Sequence, residues 1–136
     1  MKRSTIIIIT IIVITALSIG GYFMNGYSQR STLKTALNID ELPASLKILD
    51  YSDQGVSSFR AEYELSVDPG QFNRLIQGRK YELRAASNDD LVRYATHPPG
   101  ASFVPVALCI WGTAKNRVII YTNISKSLVY VIWDEN

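Results

Sequence analysis

The sequence predicts an α+β fold, in which an N-terminal transmembrane or signal helix precedes one small domain. We expect the domain to be an antiparallel sheet of about five or six strands, covered by one or two helices. Three observations predict this. The first is Thr5–Met24, an Ile-rich run without charge. The second is the alternation of polar and apolar residues from Ser58 to Val67, which leads into a helix start at Asp68. The third is that the last third of the chain has three apolar stretches separated by short turns.

The N-terminal run follows Met1-Lys2-Arg3 and is long enough to cross a bilayer, because about 20 helical residues span about 30 Å. Its aliphatic residues lie all round a helix, which argues against an amphipathic surface helix. Two interpretations of residues 1–26 stay open. An uncleaved anchor is favoured because no charge occurs from Ser4 to Gln29, whereas a cleaved signal peptide would use the small residues of Ser18-Ile19-Gly20.

Charge predicts the orientation of the chain and one class of partner. Lys2 and Arg3 favour a cytoplasmic N-terminus with the domain outside, anchored through residues 5–24, or periplasmic or secreted if the leader is cleaved. Of 14 Lys and Arg, these two precede the run, so 12 remain against 12 Asp and Glu. A neutral domain argues against a nucleic-acid partner. Ala16 and Gly20 form a small-xxx-small pair, which leaves open an accessory subunit that contacts a membrane complex through this helix.

Residues 27–42 have the composition of a polar tether between the leader and the domain. Leu33, Ala36 and Leu37 fall at helical spacing within it, so we expect a short helix there. Pro43 marks the expected edge of the extracytoplasmic α+β domain, residues 43–136.

The domain is expected to begin with a hairpin. A short strand covers Leu46–Tyr51, and Ser52-Asp53-Gln54-Gly55 has the composition of a turn. The second strand alternates, with an apolar face for the core and a polar face that we interpret as solvated and of mixed charge. The core face consists of Phe59, Ala61, Tyr63, Leu65 and Val67, and the polar face of Ser58, Arg60, Glu62, Glu64 and Ser66.

A helix should follow the second strand without a gap. Asp68 suits the N-cap, Pro69 the first helical position and Gln71 the N3 position, from which its side chain can reach back. The apolar stripe and the expected end of the helix are Phe72, Leu75, Ile76 and Gly78.

The middle of the domain is less regular. We expect a strand over Tyr81–Ala86 and a short helix that Ser87-Asn88-Asp89-Asp90 caps and that runs through Tyr94. His97-Pro98-Pro99-Gly100 predicts a loop, because two prolines and a glycine continue neither regular structure.

The last third predicts an antiparallel meander. Its strands cover Phe103–Trp111, Val118–Ile124 and Leu128–Trp133, joined by short turns. Pro105 indicates that the first of them is an edge strand or is paired only beyond that residue. Cys109 lies inside an apolar stretch and is expected in the core.

The sequence contains no recognisable catalytic motif, cofactor motif or metal-ligand pattern. A triad of His97, Asp89 or Asp90, and Ser102 can be written, but no glycine-flanked serine elbow supports it, so we expect a solvated loop histidine. His97 and Cys109 lack the paired ligands of a zinc site. We therefore predict no catalytic, cofactor-binding or metal-binding residues and no cofactor.

Four large aromatic residues in the meander are the one feature that suggests a partner surface. Core packing is the default for such rings, but exposed aromatic residues are enriched at protein interfaces. If Leu128–Trp133 is an edge strand, a partner can add a strand to it. The candidate partner-binding residues are Trp111, Tyr121, Tyr130 and Trp133.

These observations predict a small membrane-anchored or exported extracytoplasmic domain that binds a protein or an envelope component. Two alternatives stay open: an exported hydrolase with an unrecognised site, and an accessory subunit of a membrane complex. An exposed apolar or aromatic patch would favour the first hypothesis. A pocket that gathers His97, a carboxylate and a hydroxyl would favour the hydrolase.

Overall fold

The computed structural model describes residues 3–55, 57–95 and 101–136. The chain divides into two compact units, Met1–Leu33 and Lys34–Asn136. The predicted loop over residues 97–100 lies outside the described residues. The first unit is helical, and the second contains the sheet.

Helix α1 covers Arg3–Leu37 and is, among the described residues, the one helix long and apolar enough to cross a membrane. Its large aliphatic side chains from Ile7 to Ile19 are exposed on every side of the helix. The hydroxyls of Thr15 and Ser18 donate to the carbonyl oxygens one turn earlier, each at 2.9 Å. Such back-bonding removes unsatisfied polar groups from an apolar helix.

The second unit has a six-stranded antiparallel sheet, so the predicted α+β fold is confirmed. The strand order is β1-β2-β6-β5-β4-β3. A 3-10 turn, Pro69–Gln71, leads into α2, Asn73–Ile76, and α3 covers Asn88–Ala95. The strands are β1 Lys47–Gly55, β2 Phe59–Ser66, β3 Arg84–Ala85, β4 Ala107–Gly112, β5 Asn116–Thr122 and β6 Leu128–Glu135.

The predicted β1–β2 hairpin is confirmed, but its turn is not where the sequence placed it. Ser52 to Gly55 remain in the strand, and Gly55 pairs with Phe59. An edge strand tolerates such polar residues because one side faces water. The Tyr51 ring packs against Tyr63 with centroids 4.8 Å apart, and its hydroxyl donates to Asp53 within the predicted turn.

Strand β6 is central, which contradicts the hypothesis of an edge strand at Leu128–Trp133. It pairs with β2 on one side and with β5 on the other. The edges of the sheet are β1 and β3. The short connections correctly predict that β4, β5 and β6 are neighbours. They do not predict the pairing of β2 with β6, because it joins segments far apart in sequence. Strand addition at β6 is therefore ruled out.

Asp68 caps a helical turn as predicted, but this turn is the 3-10 segment Pro69–Gln71, and the α-helix α2 begins only at Asn73. Ser45 also takes part in the cap. The Asp68 carboxylate accepts from the Gly70 amide at 2.8 Å. The Gln71 side chain does not reach Asp68 directly: the Asp68 amide donates to Ser45 Oγ at 3.0 Å, and that hydroxyl donates to Gln71 Oε1 at 2.8 Å. Phe72 and Leu75 of the predicted apolar stripe are buried.

The C-terminal end of α1 belongs to the sheet-containing unit. The short helix expected within residues 27–42 is wrong as a separate element, because these residues continue α1 as far as Leu37. Ala36 and Leu37 are buried, before the boundary expected at Pro43. Asn38 adopts a left-handed conformation with φ of 57°, and its side-chain amide donates to the Gly78 carbonyl at 2.8 Å. Arg79 donates to the Ala36 carbonyl at 2.8 Å.

The core lies on the face of the sheet predicted from β2. Ala61, Tyr63, Leu65 and Cys109 are buried there, and burial raises the pKa of the Cys109 thiol to about 11. The expected core position of Cys109 is thus confirmed. The expectation from Pro105 is also confirmed, because β4 begins only at Ala107. The strand predicted over Tyr81–Ala86 is reduced to Arg84–Ala85.

Candidate functional site

The opposite face of β2 is covered, so the interpretation of a solvated charged face is wrong. Glu62 and Glu64 are 6% and 5% exposed. Both belong to a strand inside the sheet, and the segment before β4 covers Glu64. The Ser102 amide donates to Glu64 at 3.0 Å, and the Ser102 hydroxyl bonds the same oxygen. An alternating pattern identifies two faces of a strand, but it does not show whether a second layer covers the polar one.

A network of ion pairs crosses three strands on this face. Arg60 of β2 donates to Glu62 at 2.5 Å and to Asp134 of β6 at 3.0 Å. Arg117 of β5 donates to the other oxygen of Asp134 at 2.7 Å. The register of the sheet creates this arrangement, because Asp134 lies directly opposite both Arg60 and Arg117. The Tyr130 hydroxyl donates to the second oxygen of Glu62 at 2.6 Å.

In this network every carboxylate oxygen of Glu62 and Asp134 has a hydrogen-bond partner, whereas some of the arginine donors have none. Both oxygens of Glu62 and both of Asp134 accept bonds. Within the described part of the chain, Nη2 of Arg60 and Nε of Arg117 are buried without a partner. A buried donor without a partner costs about 1–3 kcal/mol, so such atoms are uncommon in folded proteins.

Beside the network lies a cavity of about 410 Å³, which we call the sheet-face cavity. Its floor is a row of isoleucines from three adjacent strands, because Ile110 pairs with Ile119 and Ile119 with Ile132. A cavity of this volume, apolar with a few polar groups, suits a small ligand. Its lining residues are Arg60, Asp90, Ile110, Arg117, Ile119, Tyr121, Ile132 and Asp134.

Asp90 of α3 contributes a second charged group to the lining. Ser87 caps this helix as predicted: the Ser87 amide donates to the Asp90 carboxylate at 2.8 Å, and the Asp90 amide donates back to the Ser87 hydroxyl at 3.3 Å. Arg84 binds both carboxylate oxygens, at 2.7 and 3.0 Å. The bonds from Arg84 and then from Ser87 hold the pKa of Asp90 well below its ordinary value.

The structure does not bring the four predicted aromatic residues together. Tyr121 and Tyr130 are buried on the cavity side of the sheet, where Tyr121 lines the cavity. Trp111 and Trp133 lie on the opposite face and are half-buried. The Arg79 guanidinium lies 3.8 Å from the centre of the Trp111 ring.

Sequence reasoning missed the three charged residues that connect the strands, Arg60, Arg117 and Asp134. Arg60 was assigned to the polar face of its strand, which is correct. Its partners could not be identified without the register, because an ion pair between β2 and β6 joins residues 74 positions apart. The row of Ile110, Ile119 and Ile132 was visible only as apolar strand residues.

The described members of the hypothetical triad are bonded to different groups. The Ser102 hydroxyl bonds Glu64, whereas Asp90 binds Arg84 and Ser87. His97 lies outside the described residues. Among the residues that the structure describes, no group of three or more His, Cys, Asp or Glu side chains could hold a metal ion.

Comparison of the chain with family models, with curated proteins and with solved structures found no match.

Proposed function

We propose that this protein is a membrane-anchored extracytoplasmic binding module. Its N-terminal helix holds it in the bilayer with the N-terminus in the cytoplasm, and its sheet-containing unit binds a partner or envelope component outside. The observation that carries the proposal is the exposure of the aliphatic residues of α1 on every side of the helix. A helix that is apolar all round is stable in hydrocarbon and unfavourable in water.

The sheet-face cavity supports a binding role for the second unit. It has an apolar floor and a small number of placed polar groups, which is the composition of a ligand site. The described residues around it supply ion pairs whose carboxylates are all engaged, and none is poised as a nucleophile or a general base. Binding therefore accounts for these features better than catalysis does.

The anchor is tested by placing the same charge at two exposed isoleucines. Ile12 lies in the apolar helix and is 60% exposed, whereas Ile124 lies in the turn before β6 and is 85% exposed. In a bilayer, Asp at the helix centre costs about 3 kcal/mol, whereas Asp at a hydrated turn costs little. We expect Ile12→Asp to move the chain from carbonate-washed membranes into the soluble fraction, and Ile124→Asp to leave it in the membranes. Equal partitioning of both variants would contradict the anchor.

A further inference from the structure

The polar groups at the sheet-face cavity are selective for one kind of ligand atom. Each oxygen of Asp90 and of Asp134 already accepts a hydrogen bond from an arginine. The buried polar side-chain atoms still without a partner there are both donors, Nη2 of Arg60 and Nε of Arg117, as far as the described residues go. A complementary ligand therefore brings a hydrogen-bond acceptor.

The charged side chains that line the cavity are balanced. They are two arginines, Arg60 and Arg117, and two carboxylates, Asp90 and Asp134. An anionic ligand would add an unmatched negative charge beside Asp134, and a cationic ligand would compete with arginines already in place. Burial of an unmatched charge is unfavourable, so the ligand's polar group should carry no net charge.

We propose that the sheet-face cavity binds an uncharged amphiphile with a carbonyl head group, such as an acyl amide or an acyl ester. Its apolar body lies on the row of Ile110, Ile119 and Ile132. Its carbonyl oxygen accepts from the unpartnered N–H groups of Arg60 and Arg117 once these side chains turn them towards the cavity, because both atoms are buried in this structure. The Arg117 side chain is 37% exposed, which leaves it room to turn its Nε towards the ligand. The inference rests on the proposed binding role and names its ligand class.

The test compares three probes with one apolar body and different head groups. Full-length, isotope-labelled protein in lipid nanodiscs is titrated with N-methylhexanamide, hexanoate and hexylamine, and the backbone amide resonances of Ile119 and Ile132 are followed. We expect the neutral amide to bind about tenfold more tightly than either charged probe. Equal affinities, or tighter binding of hexanoate, would overturn the proposal.

Two variants locate the binding. Arg117→Met removes one free donor, and Lys115→Met, in the exposed turn before β5, is the matched control. We expect Arg117→Met to weaken N-methylhexanamide binding about tenfold and the control to leave it unchanged.

If Arg117→Met does not fold, Ile110→Trp narrows the cavity from its half-exposed rim and should abolish binding. Retained binding in Ile110→Trp would contradict this site. Membrane partitioning of the Ile12 variant is a separate readout, so the anchor can hold while this inference fails.

Discussion

Glu62 is the residue whose surroundings differ most from what the sequence predicts, and Asp134 of the same network is buried as well. Charged residues on a strand usually face water. Here the carboxylates are buried, and each is satisfied by arginine, with a tyrosine hydroxyl also bonded to Glu62. Buried charges persist only when they are paired and hydrogen-bonded, so loss of one member should matter more than loss of an exposed charge.

Glu62→Gln tests this burial. The amide of glutamine carries no charge to balance Arg60 and can accept through one oxygen only. We expect the free energy of unfolding to fall by about 2–3 kcal/mol. Urea unfolding of the full-length chain in nonionic detergent, followed by tryptophan fluorescence, reports the sheet-containing unit, because both tryptophans lie there. Glu82→Gln, at an exposed position, is the control; equal losses in both variants would contradict a buried ion network.

The ionisation of the Asp90 carboxylate should make the stability of the protein depend on pH. Its pKa is lowered in the folded state from an ordinary value of 3.8, because Arg84 and Ser87 bond the carboxylate. Its contribution is therefore present above about pH 4 and is lost as the pH falls through the lower, folded-state pKa. We expect Asp90→Asn to be less stable than the parent at pH 7, and the difference to shrink below about pH 4.

Asp89→Asn is the control for this pH series. Asp89 is the exposed neighbour in the same first helical turn, and its effect through the helix dipole should be a few tenths of a kcal/mol. A difference between Asp90→Asn and the parent that is constant from pH 7 to pH 2 would show that the Arg84 pair does not act through ionisation.

At the scale of elements, the sequence predicted most of what depends on neighbouring residues. The helix starts at Asp68 and Ser87 and the core face of β2 follow from caps and alternation. The length of β1 does not follow from the sequence, since Ser52 to Gly55 have turn composition but pair with β2. The cavity could not be predicted either, because its floor depends on the register of β4, β5 and β6.

The joint between the end of α1 and the segment after α2 depends on one glycine. A Cβ atom on Gly78 would lie 2.2 Å from the Asn38 carbonyl oxygen and 2.6 Å from that of Leu37, both of them backbone atoms. Gly78→Ala should therefore force the two segments apart and lower the free energy of unfolding by about 1–3 kcal/mol.

Gly70→Ala is the matched control for that joint. Its Cβ would meet only the end of the Asp68 side chain, at 3.2 Å, which can move. We expect its urea midpoint to remain close to that of the parent, and the midpoint of Gly78→Ala to be clearly lower. If the two variants unfold at the same midpoint, the close approach of Gly78 to Asn38 is not a feature of the folded chain.

At the scale of the whole molecule, each of the two units has its own role in the proposed function. The first supplies an apolar helix with three basic residues and no acidic one, which leaves 11 basic residues against 12 acidic ones in the second. The second supplies a nearly neutral sheet-containing unit, and the charged side chains that line its cavity are balanced. The sequence predicted the helix and the neutrality, but whether the leader is retained depends on a processing enzyme.

The central claim, a module that stays anchored, is tested most directly by the intact mass of the protein recovered from carbonate-washed membranes. We expect the mass of the whole chain of 136 residues, about 15.2 kDa, in the membrane fraction. A chain that has lost about the first 20 residues and is recovered in the soluble fraction would contradict the claim, because a cleaved signal peptide releases the domain.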